Sequence, residues 1–197
     1  MVVSEELKQY QAAASYKDYL ALVESTDQRY ELIDGEIHLL ASPSYRHQVM
    51  VNEIGWHFNN YFRNKPCRSL AAPLDVHLHG SSTNFAEDPN VVQPDVLVIC
   101  DQDKVRQDNK YHGTPTLIVE VLSPSTRGID MIAKLGLYMK SGVREYWIID
   151  LEERVIYQYH FTEKRELARL KTLRVEDTIV SAVFPELTVA LSDLPWN

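Results

Sequence analysis

The sequence is organised around residues 116–125, which read TLIVEVLSPS. Five aliphatic residues surround Glu120 in this run, which is the pattern of a β-strand covered on both faces and ending at Pro124. An ionised carboxylate in such a strand is costly unless a partner or a metal ion compensates its charge. Glu120 is therefore the first candidate functional residue.

A second acid lies at the start of the preceding apolar run. Residues 91–99 read VVQPDVLVI, so Asp95 follows a proline and opens another aliphatic strand. Two acids at the ends of neighbouring buried strands offer the oxygen ligands that Mg²⁺ prefers, and its remaining positions are filled by water and substrate phosphate. The sequence therefore predicts a divalent-metal site at Asp95 and Glu120, for Mg²⁺ with Mn²⁺ as a substitute.

The composition is that of an ordinary globular protein. Of the 197 residues, 45% are hydrophobic and 24% are charged, which fits one domain with a substantial core. Residues 1–14 lack periodicity and predict a disordered lead-in, and residues 15–197 then form a single domain. Only Cys67 and Cys100 are present, too few for a disulfide scaffold and without metal-ligand spacing.

Charge and hydropathy indicate the cellular location and the kinds of partner that fit this sequence. No apolar run approaches the roughly 18 residues of a membrane span, and no secretory signal pattern opens the chain. We therefore expect a cytoplasmic protein without membrane contact. The net charge of −8 argues against non-specific binding of nucleic acid over the whole surface. Local basic segments at residues 63–68, 104–110 and 164–174 stay compatible with a local contact, or with solvated surface.

The order of helices and strands defines the fold class. Ser15 is the expected N-cap of a short helix, and Asp34-Gly35 is the expected turn of a hairpin over residues 30–40. Longer helices are predicted at residues 45–64 and 129–141, the second ending at Gly142. Since one helix lies between long strands, the pattern predicts an α+β or mixed α/β fold with a mixed sheet, not a regular βαβ series.

A metal site that acts on a phosphodiester also needs a positively charged side chain close to the phosphate oxygens. Lys134 is the candidate for this role, and it has two possible interpretations. Residue 122 points to the same strand face as Glu120, but it is leucine. The nearest replacement is Lys134, which shares a helix face with Asp130 and Tyr138, each four residues away. A surface ion pair between Lys134 and Asp130, worth a few tenths of a kcal/mol, is the alternative. The helix leaves the strand end at which the carboxylates lie, and this favours the catalytic interpretation.

Several short motifs occur together between residues 15 and 192, and their combination is specific although each is weak alone. They are Arg29–Glu36, Ser44–His47, Pro94–Asp95, Glu120–Ser125, the spaced residues Asp130, Lys134, Tyr138 and Gly142, and Glu145–Asp150. Together they resemble the Uma-type restriction endonuclease family, a large bacterial family within the PD-(D/E)XK nuclease superfamily.

The resemblance implies a restriction-endonuclease-like sheet flanked by helices, a homodimer, and DNA as the substrate. It implies Asp95 and Glu120 as metal ligands and Lys134 as the migrated substitute for the in-strand lysine that Leu122 replaces. Glu36 and His47 match family positions near the site and are secondary catalytic candidates. The predicted activity is Mg²⁺-dependent hydrolysis of DNA phosphodiester bonds by a metal-activated water.

Two other functions are alternatives to DNA hydrolysis by a metal-activated water. A serine nucleophile at Ser123 or Ser125 with Lys134 as its base lacks the Gly-x-Ser-x-Gly elbow, and Pro124 between the serines favours a turn. A catalytically impaired nuclease-fold module that binds DNA or a protein partner would explain the loss of the in-strand lysine. Response to a divalent metal separates such a module from an active nuclease.

Overall fold

The computed structural model describes residues 13–80, 85–124 and 126–197, which form three β-sheets and three α-helices in an α+β arrangement. The helices are α1 (Tyr16–Ser25), α2 (Tyr45–Phe62) and α3 (Leu135–Ser141), and a π-helical segment, Ile129–Lys134, leads directly into α3. The strands are β1 (Tyr30–Ile33), β2 (Glu36–Leu39), β3 (Arg68–Ala71), β4 (Val76–His79), β5 (Pro89–Val92), β6 (Val96–Ile99), β7 (Leu117–Val121), β8 (Glu145–Asp150), β9 (Val155–Phe161), β10 (Leu167–Arg174), β11 (Thr178–Val180) and β12 (Thr188–Ala190).

A six-stranded mixed sheet forms the centre of the molecule, in the order β10-β9-β8-β7-β6-β3. The β7–β8 pair is parallel, and the other neighbouring pairs are antiparallel. The predicted mixed α+β fold is therefore confirmed. The parallel pair places the C-terminal ends of β7 and β8 side by side, where Glu120 and Asp150 lie.

Both faces of the central strands are covered, as the unbroken apolar run around Glu120 predicts. On one face, Val119, Val121 and Trp147 pack in a core with the buried side of α2. On the other face, Ile118 and Leu122 pack beneath the helical segment that follows β7 and against the second sheet. A polar side chain on β7 therefore has no route to bulk solvent except at the strand end.

The second sheet is antiparallel, in the order β2-β1-β5-β4. Its β1–β2 hairpin turns at Asp34 and Gly35, whose φ angles are +48° and +79°, as the tight-turn prediction requires. The sheet packs over the central one through Ile33, Val76 and Val92. It thereby brings β1 close to the end of β7.

The helix ends follow the capping residues that the sequence indicates. Ser15 caps α1 in a reciprocal capping box with Asp18, and Ser44 caps α2 by accepting from the backbone N–H of His47. Gly142 ends α3 in the left-handed conformation, with φ of 95°. Of the predicted lead-in, residues 1–12 lie outside the described residues, whereas the Ala14 N–H donates to the carbonyl of Gly35 at 2.7 Å.

Cys67 and Cys100 form a disulfide at the ends of β3 and β6, a pairing that was not expected from the sequence. The antiparallel register pairs Arg68 with Ile99, so the two cysteines lie opposite one another one position further along.

Within the described ranges, no helix combines the length and apolar character that crossing a bilayer requires.

Candidate active site

Asp95 and Glu120 meet at one end of the central sheet. The antiparallel register pairs Val96 with Val119, and continuing it by one residue places Asp95 opposite Glu120. Glu120 Oε2 accepts from the Asp95 N–H at 3.2 Å, and Asp95 Oδ2 accepts from the Val121 N–H at 2.8 Å. The structure therefore brings together the two acids that the sequence paired.

Lys134 lies between three carboxylates beneath this sheet end. Its Nζ is 2.9 Å from Glu120 Oε1, 2.9 Å from Glu31 Oε1 and 3.3 Å from Asp130 Oδ1. The ion pair between Lys134 and Asp130 is present, but it is buried and not at the surface, because the Lys134 side chain is only 5% exposed. Leu122 occupies the same-face position on the strand and packs in the core, so Lys134 supplies the cation from a neighbouring helix.

The helix that carries Lys134 departs from regular α-helical geometry. The sequence predicts an ordinary helix over residues 129–141, but Ile129–Lys134 is π-helical. Asp130 and Lys134 are both buried on this segment, and π-helical turns are frequent at functional sites. The Tyr146 hydroxyl donates to the Asp130 carbonyl at 3.1 Å and so ties this segment to β8.

The buried cluster carries an excess of negative charge. Three carboxylates (Glu31, Glu120 and Asp130) contact one lysine, and the Asp95 carboxylate lies beside His47 at the same end of the sheet. Three negative charges are therefore uncompensated when all four acids are ionised and His47 is neutral. Burial raises the pKa of Glu120 well above its usual 4.5; the Lys134 ammonium opposes this shift, and the other three acids increase it. A bound cation or a proton is needed to offset this charge.

Lys134 itself stays protonated. Burial alone would lower its pKa, but the carboxylates of Glu120, Glu31 and Asp130 outweigh that effect and raise the pKa well above 10.5. A protonated lysine cannot act as a base, so the Ser123 mechanism loses its proton acceptor. Ser123 Oγ lies 3.0 Å from Thr126 Oγ1 in the turn after β7, and Ser125 lies outside the described residues.

His47 contacts Asp95 from the first turn of α2. Its Nε2 is 3.2 Å from Asp95 Oδ2, and its side chain is almost fully buried. Burial lowers the pKa of His47, but the hydrogen bond and the negative charge of Asp95 outweigh burial and raise the pKa overall. The structure therefore places this secondary candidate against a predicted metal ligand.

Two further side chains belong to the cluster. Tyr138 donates from its hydroxyl to Glu120 Oε1 at 2.8 Å, and it shares the helix face of Lys134 that the four-residue spacing indicates. The second is Glu31, which the sequence did not single out as a site residue. It is 1% exposed, and its Oε1 accepts from the Gln93 N–H at 2.8 Å in addition to contacting Lys134.

Glu36 does not join the site, contrary to its assignment as a secondary candidate. It lies opposite Ile33 at the turn end of the edge strand β2, whereas Glu31 lies opposite His38 two residues further from the turn. The Glu36 carboxylate is 80% exposed and lies 3.8 Å from His38 Nε2. The hairpin therefore presents Glu31, and not Glu36, to the carboxylate cluster.

A cleft of about 710 Å³ opens over the cluster. Its floor includes Asp95, Glu120, Asp130 and Lys134, and its wall includes His47 and the start of α2. Among the described residues, no three His, Cys, Asp or Glu side chains are arranged as a ready metal-binding group. Mg²⁺ needs only one or two protein carboxylates, and Asp95 and Glu120 would be the residues to hold it, since both carboxylates line a cleft that is open to water.

The fold, with two opposed acids and a buried lysine at the strand ends, is restriction-endonuclease-like. A crystal structure of "a putative nuclease belonging to DUF820" from Anabaena variabilis superposes with a TM-score of 0.71 at 19% identity, covering 90% of this chain and 94% of that one. The chain belongs to the Uma2 family, whose model, described as "Putative restriction endonuclease", matches residues 16–192.

Two relatives from Synechocystis sp. are similar over most of the chain. The uncharacterized protein slr1290 is 28% identical over 147 residues, which are 74% of this chain and 73% of that protein. The uncharacterized protein sll1609 is 30% identical over 135 residues, which are 68% of this chain and 72% of that protein. The Uma2 family, described as "Putative restriction endonuclease", is the finding that points to a nuclease, because neither of these two relatives is characterized.

Proposed function

We propose that this protein is a Mg²⁺-dependent DNA endonuclease whose active site is the cleft above Asp95, Glu120 and Lys134. The observation that carries the proposal is the Lys134 ammonium, 2.9 Å from Glu120 within a buried cluster that has more carboxylates than cations. This combination supplies both the ligands for a divalent ion and the positive group that a phosphoryl-transfer site needs. Membership of the Uma2 family supports DNA as the substrate.

In this proposal each side chain of the site has a separate role in binding the ion, stabilising charge or orienting a ligand. Asp95 and Glu120 would hold the ion, which when bound lowers the pKa of a water and polarises the phosphodiester. Lys134 holds its charge next to the position of the scissile phosphate, where it stabilises the negative charge that develops on the phosphoryl oxygens. His47 orients the Asp95 carboxylate from α2, and Tyr138 orients Glu120 from α3.

Loss of cleavage in two variants tests this proposal. We expect Asp95→Asn and Glu120→Gln each to abolish Mg²⁺-dependent cleavage of plasmid DNA while circular dichroism shows that both variants stay folded. Glu36→Gln is the matched control, since Glu36 is exposed and lies away from the cleft, and it should cleave normally. Wild-type turnover by the Asp95 or Glu120 variant would refute the assignment.

A catalytically impaired module is the second candidate, and one observation favours it. Glu120 Oε1 already accepts from both Lys134 and Tyr138, which is how a carboxylate is satisfied without a metal ion. An active nuclease should unfold at a higher temperature in Mg²⁺ or Mn²⁺, and this shift should disappear in Glu120→Gln. A module without the ion should show no shift, and its affinity for DNA should survive the same substitution.

The assembly and the location remain predictions from the sequence. A homodimer is expected from the family resemblance, and light scattering of the purified protein would measure its mass. The Cys67–Cys100 disulfide bears on the predicted cytoplasmic location, because disulfides persist mainly in oxidising compartments. Fractionation of the source cells with a thiol-trapping reagent would determine both the location and the redox state.

A further inference from the structure

Arginines line the cleft above its acidic floor. Arg29, Arg46 and Arg127 all contribute to its wall. A DNA strand that approaches a floor with three carboxylates (Asp95, Glu120 and Asp130) is repelled unless cations on the wall contact its phosphates. Arg46 is engaged elsewhere, because its guanidinium donates to Glu152 and to the carbonyls of Leu151 and Trp196.

Arg127 differs from Arg46 in how it is held. Its Nη1 lies 2.7 Å from Asp150 Oδ2, and Asp150 is 1% exposed at the C-terminal end of β8. The other oxygen of Asp150 accepts from the N–H groups of Glu152 and Glu153, each at 3.1 Å, which fixes the plane of the carboxylate. Asp150 therefore offers a fixed, buried negative charge that holds Arg127 at the cleft wall by ion pairing, although the contact lacks hydrogen-bond geometry.

The Arg127 guanidinium retains donors for a ligand. Its side chain is 44% exposed, and within the described part of the chain it forms an ion pair with the Asp150 carboxylate. A guanidinium has five N–H donors in a planar fork, and a fork matches the two oxygens of a phosphate. Arg127 lies in the first turn after β7, three residues before Asp130.

We propose that Arg127, oriented by Asp150, binds a backbone phosphate of the DNA strand next to the phosphodiester that is cleaved. The inference rests on the proposed function, because it names how the same cleft holds its substrate. The contact positions the strand over Asp95 and Glu120, and it offsets the repulsion from the acidic floor. Asp150 acts through Arg127 and is a positioning residue.

The test compares two variants with a matched control. Arg127→Ala alone leaves a buried carboxylate without a partner, so we use Arg127→Lys, which keeps the charge, and the double variant Arg127→Ala/Asp150→Asn, which removes both partners. The control is Arg144→Ala. Arg144 is 36% exposed and lies 3.3 Å from Glu163, but it precedes β8 at the opposite end from Asp150.

Affinity for a fluorescein-labelled DNA duplex is measured in EDTA, where metal-dependent cleavage does not proceed, over a series of salt concentrations. We expect the double variant to bind roughly ten-fold more weakly at about 0.1 M salt, and the slope of log K against log[salt] to fall in magnitude by about one. Arg127→Lys should weaken binding less and keep the slope, because it retains a point charge. Arg144→Ala should match the wild type.

Duplexes in which one phosphate at a time is replaced by a neutral methylphosphonate distinguish a phosphate contact from a structural ion pair. At one position the wild type should lose affinity while the double variant loses none. Equal losses in both proteins at every position, an unchanged salt slope, or no binding of DNA by the wild type would each overturn the inference. If cleavage persists in Glu120→Gln, the proposed function fails, and the binding results still decide the role of Arg127.

Discussion

Lys134 compensates three carboxylates at once, and the stability of the site depends on it. Removing one partner of a buried ion cluster leaves the other charges without compensation, a loss of about 3–5 kcal/mol. We therefore expect Lys134→Ala to lower the free energy of unfolding by this amount at neutral pH, measured by urea denaturation. Lys140→Ala, at an exposed position at the end of the same helix, should change stability little. Equal stabilities in the two variants would contradict the buried cluster.

Glu120 links folding to pH. Burial raises the pKa of its carboxyl well above 4.5, so the folded state holds this proton more tightly than the unfolded chain does. The resulting stabilisation is fully present below about pH 4.5 and is lost as the pH rises through the folded-state pKa. In EDTA, we expect the wild type to lose stability relative to Glu120→Gln across that interval. A difference between the two proteins that does not vary with pH would count against this linkage.

At the scale of the element, the end of α3 sets the direction in which the chain enters β8. Gly142 adopts a φ of +95°, which costs an L-residue with a side chain roughly 1–2 kcal/mol. Gly142→Ala should therefore destabilise the protein by about that amount in thermal or urea unfolding.

Gly136, within α3, provides the internal control for that substitution. A Cβ added at Gly136 meets nothing within 4 Å among the described residues, so Gly136→Ala should be neutral or stabilising by up to about 1 kcal/mol. The same change of side chain is then predicted to have opposite effects six residues apart. Similar effects at both positions would indicate that α3 does not end at Gly142.

The helix over residues 129–141 was predicted from the sequence, but the geometry of its first part was not. Gly142 and the spacing of Asp130, Lys134 and Tyr138 predicted a helix with these three side chains on one face, and the helix is confirmed. The π-helical geometry of Ile129–Lys134 was not predicted, because no local residue specifies it. It coincides with the burial of Asp130 and Lys134 in the carboxylate cluster.

At the scale of the whole molecule, the disulfide ties the edge strand β3 to β6 across 33 residues of sequence. Closing a loop of this length restricts the unfolded chain and is worth about 3–4 kcal/mol in the chain-entropy model. We expect a reducing agent to lower the free energy of unfolding by roughly that amount, measured by urea denaturation. The double variant Cys67→Ser/Cys100→Ser should be less stable than the wild type and should not respond to the reductant. An equal response in both proteins would show that the bond does not form.

Local sequence determined the elements and the central pair of the site. The aliphatic run around Glu120, the proline before Asp95 and the glycine after α3 act over a few residues, so they identified the buried strands, the two acids and the helix that carries Lys134. The family resemblance pointed to His47, which contacts Asp95, and to Glu36, which lies away from the cluster; a catalytic role for His47 stays a prediction.

Tertiary structure alone decided that Glu31 lies inside the cluster and Glu36 outside it. Both acids flank the same hairpin turn, and no property of either residue distinguishes them. The packing of the second sheet on the first buries one of them against Lys134 and leaves the other in solvent. The same long-range contacts brought Asp150 to Arg127 and Cys67 to Cys100, because the relative placement of distant strands depends on how the whole core packs.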